Sequence, residues 1–387
     1  MDPSDSGIHV ERIEGISDFS RAAQYLVERG CPRPILPYPA EFEIIQELHR
    51  DISQDFHLCI FKKEEKIIGY APYLRRKSMQ NIRFGEKTIH GFAFEAIQIL
   101  RPNTAQWGSI SGTPQELLLF LAKNEPAMAI TVPELDVNTE LWRAIQDIGA
   151  KHYFLSNDLP FDHYLHYFKG NYDAFYQTKS KNSKKQIKYK TNVLNKRVGP
   201  GLKLEEYTAE QSLERFLQAA NAISVKTYQA ELFGEVIEDS AAMRRLFGLY
   251  ARNGYFRSFI LWADQLPIAF ALGTQTPDGL YELSIMGYDP DWSEFNAGFN
   301  CTLKIVQHLY LHNTPERMDI GGGGNDLKRL FGTTKTVNMS PILLPKSLYG
   351  MALHRLGAIS EQANRGIVFI LDKLGLKTRV KQWFRRR

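Results

Sequence analysis

The segment from Gly279 to Gly332 constrains this chain more than any other. It opens with the alternating run Leu280 to Asp289, then passes through a polar loop that ends in Asn296-Ala297-Gly298-Phe299-Asn300 and enters the apolar-periodic run Cys301 to Leu311. A short strand pattern at Met318-Asp319-Ile320, a run of glycines and Asp326 to Gly332 close it. Strand, glycine-bearing loop, helix, strand places a helix start at the end of a strand. The free amides and positive dipole end of such a start bind an anion, for instance a pyrophosphate. A glycine before a helix is more often only a turn, so the segment has to be weighed with its surroundings.

At 387 residues the chain exceeds the size at which one core keeps growing, and two domains are expected. With 43% hydrophobic and 24% charged residues it reads as globular, not disordered. Cys31, Cys59 and Cys301 are odd in number, far apart and in no metal-ligand spacing, which argues against a disulfide framework or a metal site and for a reducing compartment. The first thirty residues mix acids with arginines and hold no apolar core of the kind a secretory signal needs. A cytoplasmic protein is the expectation. Its net charge of +5 is unevenly spread. No acid falls between Ala174 and Leu204, where Lys179, Lys181, Lys184, Lys185, Lys188, Lys190, Lys196 and Arg197 gather, and the end from Lys377 to Arg387 is again basic.

Periodicity predicts helices over Phe19–Arg29, Phe42–Asp51, Glu116–Asn124 and Thr139–Gly149, the last stopped by its glycine. A hairpin is expected from His57–Phe61 and Lys66–Leu74, with extended runs at Met128–Leu135 and His152–Leu159. After Pro160 the alternation restarts: a basic helix from Asp173 to Arg197, a strand Leu202–Tyr207, helices Ser212–Lys226 and Ser240–Asn253, and a meander Phe256–Trp262, Pro267–Thr274, Leu280–Tyr288. The openings Ile67-Ile68-Gly69-Tyr70-Ala71 and Leu266-Pro267-Ile268-Ala269 are alike, as in two diverged copies of one α/β unit, although two unrelated domains can give similar short patterns. Only the second copy has the glycine-to-helix step; Arg101–Thr113 takes its place in the first.

Over Tyr167 to Thr334 the chain resembles the GNAT acyltransferase superfamily, in the branch of CelD-like acetyltransferases tied to polysaccharide synthesis. The residues that carry the likeness are Tyr288-Asp289-Pro290-Asp291-Trp292, Ala297-Gly298, Asp319, Lys328 and Phe331-Gly332, with Ser224 to Tyr228 and Pro267 to Ala269 upstream. The resemblance implies an α/β fold of tandem GNAT-like domains, each a mixed, mainly antiparallel sheet flanked by helices. The expected division is a degenerate domain at 1–165, the transferase domain at 166–345 and a basic amphipathic tail at 346–387.

It further implies acyl-coenzyme A as co-substrate, with no metal, and an amine or hydroxyl acceptor on a small molecule, glycan or lipid-linked envelope precursor. Ala297, Gly298, Phe299 and Asn300 would face the coenzyme A pyrophosphate. Period-2 alternation puts Glu282, Ser284, Met286 and Tyr288 on one face of the third meander strand, and the superfamily often places its catalytic carboxylate on this strand. Glu282 is therefore the candidate base, with Tyr288 beside it; an ordinary solvent-facing glutamate weighs equally. Asp319 could reach the cleft or serve the glycine turn. Lys328 resembles a lysine of the related FemABX peptidyltransferases and would neutralise charge on the acceptor or oxyanion; a plain surface lysine weighs as much. Lys226 and Tyr228 fall where this branch would line the acceptor side. The histidines, His163 and His166 among them, show no triad pairing.

The basic helix reads as a solvated face, an anion site or, last, a tRNA surface. From Gly366 to Phe384, apolar residues at helical spacing mix with lysines and arginines, so an anionic membrane is a candidate partner and a docked terminal helix the alternative. Two other functions stay open: an aminoacyl-tRNA-dependent peptidyltransferase of the FemABX type, and a catalytically inactive membrane-peripheral scaffold. Nucleic acid enters only through the first.

Overall fold

The computed structural model describes residues 7–13, 19–50, 55–84, 87–103, 107, 112–156, 159–227, 236–312 and 314–373. The chain divides into two compact units, one running to Phe161 and resuming at Val337, the other spanning Asp162–Thr336. Each is a mixed α/β sheet flanked by helices.

Unit 1 orders its strands His9–Arg12, Phe56–Lys63, Lys66–Phe84, Lys87–Ile99, Ala129–Thr131, Ile342–Pro345 and Tyr153–Ser156. The predicted hairpin is real, and its two-residue turn puts Glu64 and Glu65 at φ 49° and 63°, the left-handed pair that matches strand twist. Helices Phe19–Glu28 and Glu41–Leu48 cover one face, burying Leu26, Phe42, Phe56 and Tyr70. Thr113–Asn124 and the helical run from Glu140 to His152 cover the other, over Phe61, Ile97 and Leu117. Gly149 does not stop that run: it stays helical, and a Cβ there would lie 3.1 Å from Leu343, so glycine admits the Ile342–Pro345 strand. That strand pairs with Thr131 and Ile130 on one side and with Ser156 to Tyr153 on the other. The segment after Val337 therefore belongs to the first unit, where the expected division gave 337–345 to the second and set the rest apart as a tail.

Unit 2 contains, in chain order, β1 (Phe161–Tyr167), α1 (Tyr172–Gln177), α2 (Lys181–Val198), β2 (Leu202–Tyr207), α3 (Glu210–Ser224), α4 (Ala241–Arg252), β3 (Ser258–Ala263), β4 (Leu266–Gln275), β5 (Leu280–Tyr288), α5 (Ala297–Leu311), β6 (Arg317–Gly322), α6 (Asp326–Phe331) and β7 (Thr334–Met339). The sheet order is β7-β1-β6-β5-β4-β3-β2. Only β5 and β6 pair in parallel among the β2-to-β6 and β6-to-β1 neighbours. The basic helix is two helices, because the Ser180 hydroxyl accepts from the Ser183 amide at 3.2 Å and starts α2 afresh. Ile187 and Leu194, seven apart, are the residues α2 buries; its lysines fill the rest of the wheel. One face of the sheet packs on α1, α2, α5 and α6 around Tyr281, Leu303, Val306 and Phe331. The other packs on α3 and α4 around Phe216, Phe256, Ile260 and Phe270.

Both units share one strand plan, but only unit 1 takes the strand next to its last one from beyond its first continuous stretch. In unit 1 that strand is Ile342–Pro345, which follows unit 2 in the chain. In unit 2 the corresponding strand is β1, the first element of the unit's own stretch.

Candidate active site

The parallel pairing of β5 with β6 spans only Leu280 with Arg317, Tyr281 with Met318 and Glu282 with Asp319. Beyond it β6 goes on pairing with β1, while β5 runs to Tyr288 along β4 alone. The two strands thus splay, and the backbone of residues 283–288 presents one edge to the opening. At the mouth of the splay the register of β4 with β5 shifts: Leu272 faces Ile285 and Gly273 faces Leu283, leaving Ser284 as the extra residue of a β-bulge.

The bulge corrects the predicted alternation. Glu282, Ile285 and Gly287 lie on the α3 side, with Gly287 against the Phe270 ring. Leu283 and Met286 join the core under α5, and the Tyr288 ring packs on Gly298. Glu282 and Tyr288 therefore point to opposite faces, because one inserted residue reverses every side chain after it.

In unit 1 the parallel pair is Ala96 with Ala129 to Gln98 with Thr131, at the far end of the Lys87–Ile99 strand. No comparable length of strand runs on past it among the described residues. Much of Arg101–Thr113 lies outside the described residues.

After β5 the chain makes a turn of 3-10 helix and reaches Asn296, held at φ 58° with no side-chain cap on α5. The first bond of α5 runs from the Asn300 amide to the Asn296 carbonyl at 3.0 Å. The amides of Ala297, Gly298 and Phe299 are therefore the unpaired donors of the helix start, and Asn300 is not among them. The Asn300 side chain is also committed, donating to the Lys190 carbonyl at 3.1 Å and tying α2 to α5. All four residues are buried, so they offer backbone, not side chains. Gly298 is required on packing grounds as well, since a Cβ would meet the Tyr288 ring at 2.7 Å.

Two cations flank this helix start. The Lys190 ammonium sits 4.5 Å from the Phe299 ring centroid, and the Arg197 guanidinium lies 5.9 Å and 5.5 Å from those of Trp292 and Phe295. Composition marked both residues as basic, but only the packing of α2 on α5 selects these two from the run.

On the α3 side, the register partners Glu282 and Asp319 stand next to each other on neighbouring strands. Glu282 is exposed. Asp319 is engaged: its Oδ1 lies 2.9 Å from His163 Nε2 and accepts from the Gly321 amide at 2.7 Å, which fixes the turn where Gly321 has φ 86°. His163 is 8% exposed. Sequence gave no sign of this pair, since it depends on β1 lying against β6. The Lys328 ammonium donates to the Gly322 carbonyl at 2.5 Å, so it closes the same turn. Lys226 bonds Asp289 at 2.7 Å; with that carboxylate as the main cause its pKa is raised. Tyr228 lies outside the described residues.

Thiol chemistry has no place here. Cys301 is buried in α5 and burial pushes it up to about 12; Cys59 likewise rises to about 12 and Cys31 to about 11. Each stays protonated near neutral pH and is a poor nucleophile.

Residues 181–329 match the family model described as an acetyltransferase (GNAT) domain. No curated protein matches the chain. Among solved structures it is similar to the crystal structure of FemX, at 10% identity over 89% of this chain and 100% of that one, with a TM-score of 0.54. It is also similar to the C-terminal domain of a putative lysylphosphatidylglycerol synthetase from Agrobacterium fabrum, at 13% identity over 87% and 96% with a TM-score of 0.50. A tandem GNAT protein from the clavulanic acid biosynthesis pathway matches at 9% identity over 87% and 98%, TM-score 0.46. The residues that match the acetyltransferase (GNAT) domain model, 181–329, lie within the splayed unit. The solved structures support the fold without singling out a branch.

Proposed function

We propose that unit 2 is an acyl-coenzyme A-dependent N- or O-acyltransferase. The observation that carries this is the junction of three features in one place: the splay of β5 from β6, the Ser284 bulge at its mouth, and the start of α5 at its end. A carrier whose pyrophosphate rests on the amides of Ala297, Gly298 and Phe299 can lay its arm along the open edge of β5. Lys190 and Arg197 add the charge complement. The acceptor enters from the α3 side, where Glu282 and Asp319 stand.

In this reading the acceptor's amine or hydroxyl forms its bond to the acyl carbon, the carbon–sulfur bond breaks, and the leaving thiolate is protonated. Glu282 takes the acceptor's proton; backbone donors at the bulge steady the developing oxyanion. Asp319, His163 and Lys328 hold the wall of the cleft. The acceptor class we propose is a glycan or lipid-linked envelope precursor, as in the CelD-like branch that the chain resembles.

The second reading, a peptidyltransferase that takes aminoacyl-tRNA, is favoured by the exposed Lys181, Lys185, Lys188 and Lys196 of α2. Isothermal titration with acetyl-coenzyme A and a longer acyl-coenzyme A, in the wild type and in Gly298→Glu, separates the two. Binding that the substitution abolishes supports the acyl-coenzyme A enzyme, with thermal unfolding as the check on the variant's fold. A folded wild type that binds neither thioester but retards tRNA in a gel rejects it for the second.

A further inference from the structure

The C-terminal helix Leu348–Lys373 has two apolar stripes, and folding uses one. Gly350, Leu353, His354 and Gly357 form the inner stripe. A Cβ on Gly350 would meet the Pro345 carbonyl oxygen at 2.0 Å, Leu353 is buried with Phe94, Ala96, Ala129 and Leu344, and the His354 ring stacks on Phe154 at 5.6 Å. The outer stripe is Leu348, Ala352, Leu356 and Ile359, at i, i+4, i+8 and i+11, with Arg355 beside Leu356. Leu348 is 82% exposed and Ile359 62% exposed. A helix that shows leucine and isoleucine to solvent at helical spacing is built to be covered on that side as well.

The sequence that follows says by what. Residues 374–387 hold six basic residues, Lys377, Arg379, Lys381, Arg385, Arg386 and Arg387, with Trp383 and Phe384 and no acid. Apolar side chains on one helix face, a cation at their edge and a basic, aromatic-bearing continuation are the complement of an anionic lipid surface: chains for the leucines, headgroups for the arginines. No described helix is long and apolar enough to cross a membrane, so contact would be with one leaflet.

We propose that the outer stripe of this helix docks unit 1 on an anionic membrane surface. The test is co-sedimentation of the full chain with vesicles of equal parts phosphatidylglycerol and phosphatidylcholine, and with phosphatidylcholine alone. The wild type should pellet with the anionic vesicles only and be released by high salt. Leu356→Glu with Ile359→Glu should lower partitioning about tenfold or more per residue. A chain ended after Lys373 should lower it about a hundredfold or more, each basic residue being worth about fivefold. Thermal unfolding checks the fold, and Leu348→Glu alone serves if the double variant does not fold. Three results overturn the proposal: a wild type that stays in the supernatant, a folded double variant that partitions like the wild type, or a double variant that turns an oligomer into a monomer by light scattering, which would make the face an interface between copies of this chain.

Discussion

Acid should loosen unit 2 through a single histidine. His166 on β1 is fully buried, with Nδ1 2.6 Å from the Phe331 carbonyl and Nε2 3.0 Å from the Tyr310 hydroxyl, and rings of Phe168 and Phe175 within 5 Å of its own. The neutral tautomer that donates from Nδ1 and accepts at Nε2 satisfies both partners. Burial pushes its pKa down to about 4, with the Phe331 carbonyl working the other way and Lys179 adding to the depression. The unfolded chain, with an ordinary value of about 6.5, takes up the proton first. Stability is therefore intact above about pH 6.5 and is lost as pH falls toward 4. At pH 5 the linkage amounts to about 2 kcal/mol, and to about 3 kcal/mol once both states are protonated. Two measurements check this. The His166 ring resonance should titrate near pH 4 by NMR. Urea unfolding at pH 7.5 and pH 5 should show the wild type losing about 2 kcal/mol more than His166→Asn, which keeps a donor for Phe331. A midpoint near 6.5, or equal losses in both proteins, would refute the argument.

Other expectations follow from the same packing. Gly298→Ala should cost about 1–3 kcal/mol by overpacking against Tyr288, and Tyr288→Ala should return part of it in a double-mutant cycle of thermal unfolding; additive effects would mean the two do not touch. Glu282→Gln should lower the rate of thiol release from acetyl-coenzyme A with an amine acceptor by about a hundredfold or more while the thioester still binds; a rate within a few-fold of wild type would leave Glu282 a plain surface residue. Lys190→Ala should weaken acetyl-coenzyme A and flatten the salt dependence of its binding, as measured by titration at two ionic strengths. A fragment of residues 166–345 should be insoluble or lack cooperative unfolding, since it cuts β1 after Leu165 and carries a strand whose partners lie in unit 1.

Most helices and the β3-β4-β5 meander were legible because their signals are local: 3.6- and 2-residue periods, the Ser240 cap, turns at Asp264 and Gly279. What failed was non-local. The bulge at Ser284 answers to the register of β4 with β5, so strict alternation misplaced Tyr288. Gly149 reads as a stop and is a clearance for Leu343, almost two hundred residues away. The glycine in the first turn of α5 was visible, yet its packing reason, the Tyr288 ring, was not. His163 meets Asp319 because β1 lies beside β6, a placement that no window of sequence contains.

The late return of the chain to unit 1 also sets a timetable for synthesis. Unit 1 waits for Ile342–Pro345 to complete its sheet, whereas unit 2 has β1 in hand from the outset and needs only its own later strands. At ribosomal speeds of roughly 5–20 residues per second, the gap between Ser156 and Ile342 is about ten to forty seconds. For that time the edges of Ala129–Thr131 and Tyr153–Ser156 have no central strand between them and stand exposed as pairing templates. The two sheets are then completed within a few residues of each other, at Met339 and Pro345. Unit 1 is thus the part of the chain that stays incomplete longest during synthesis, its sheet closed only by a strand that follows unit 2.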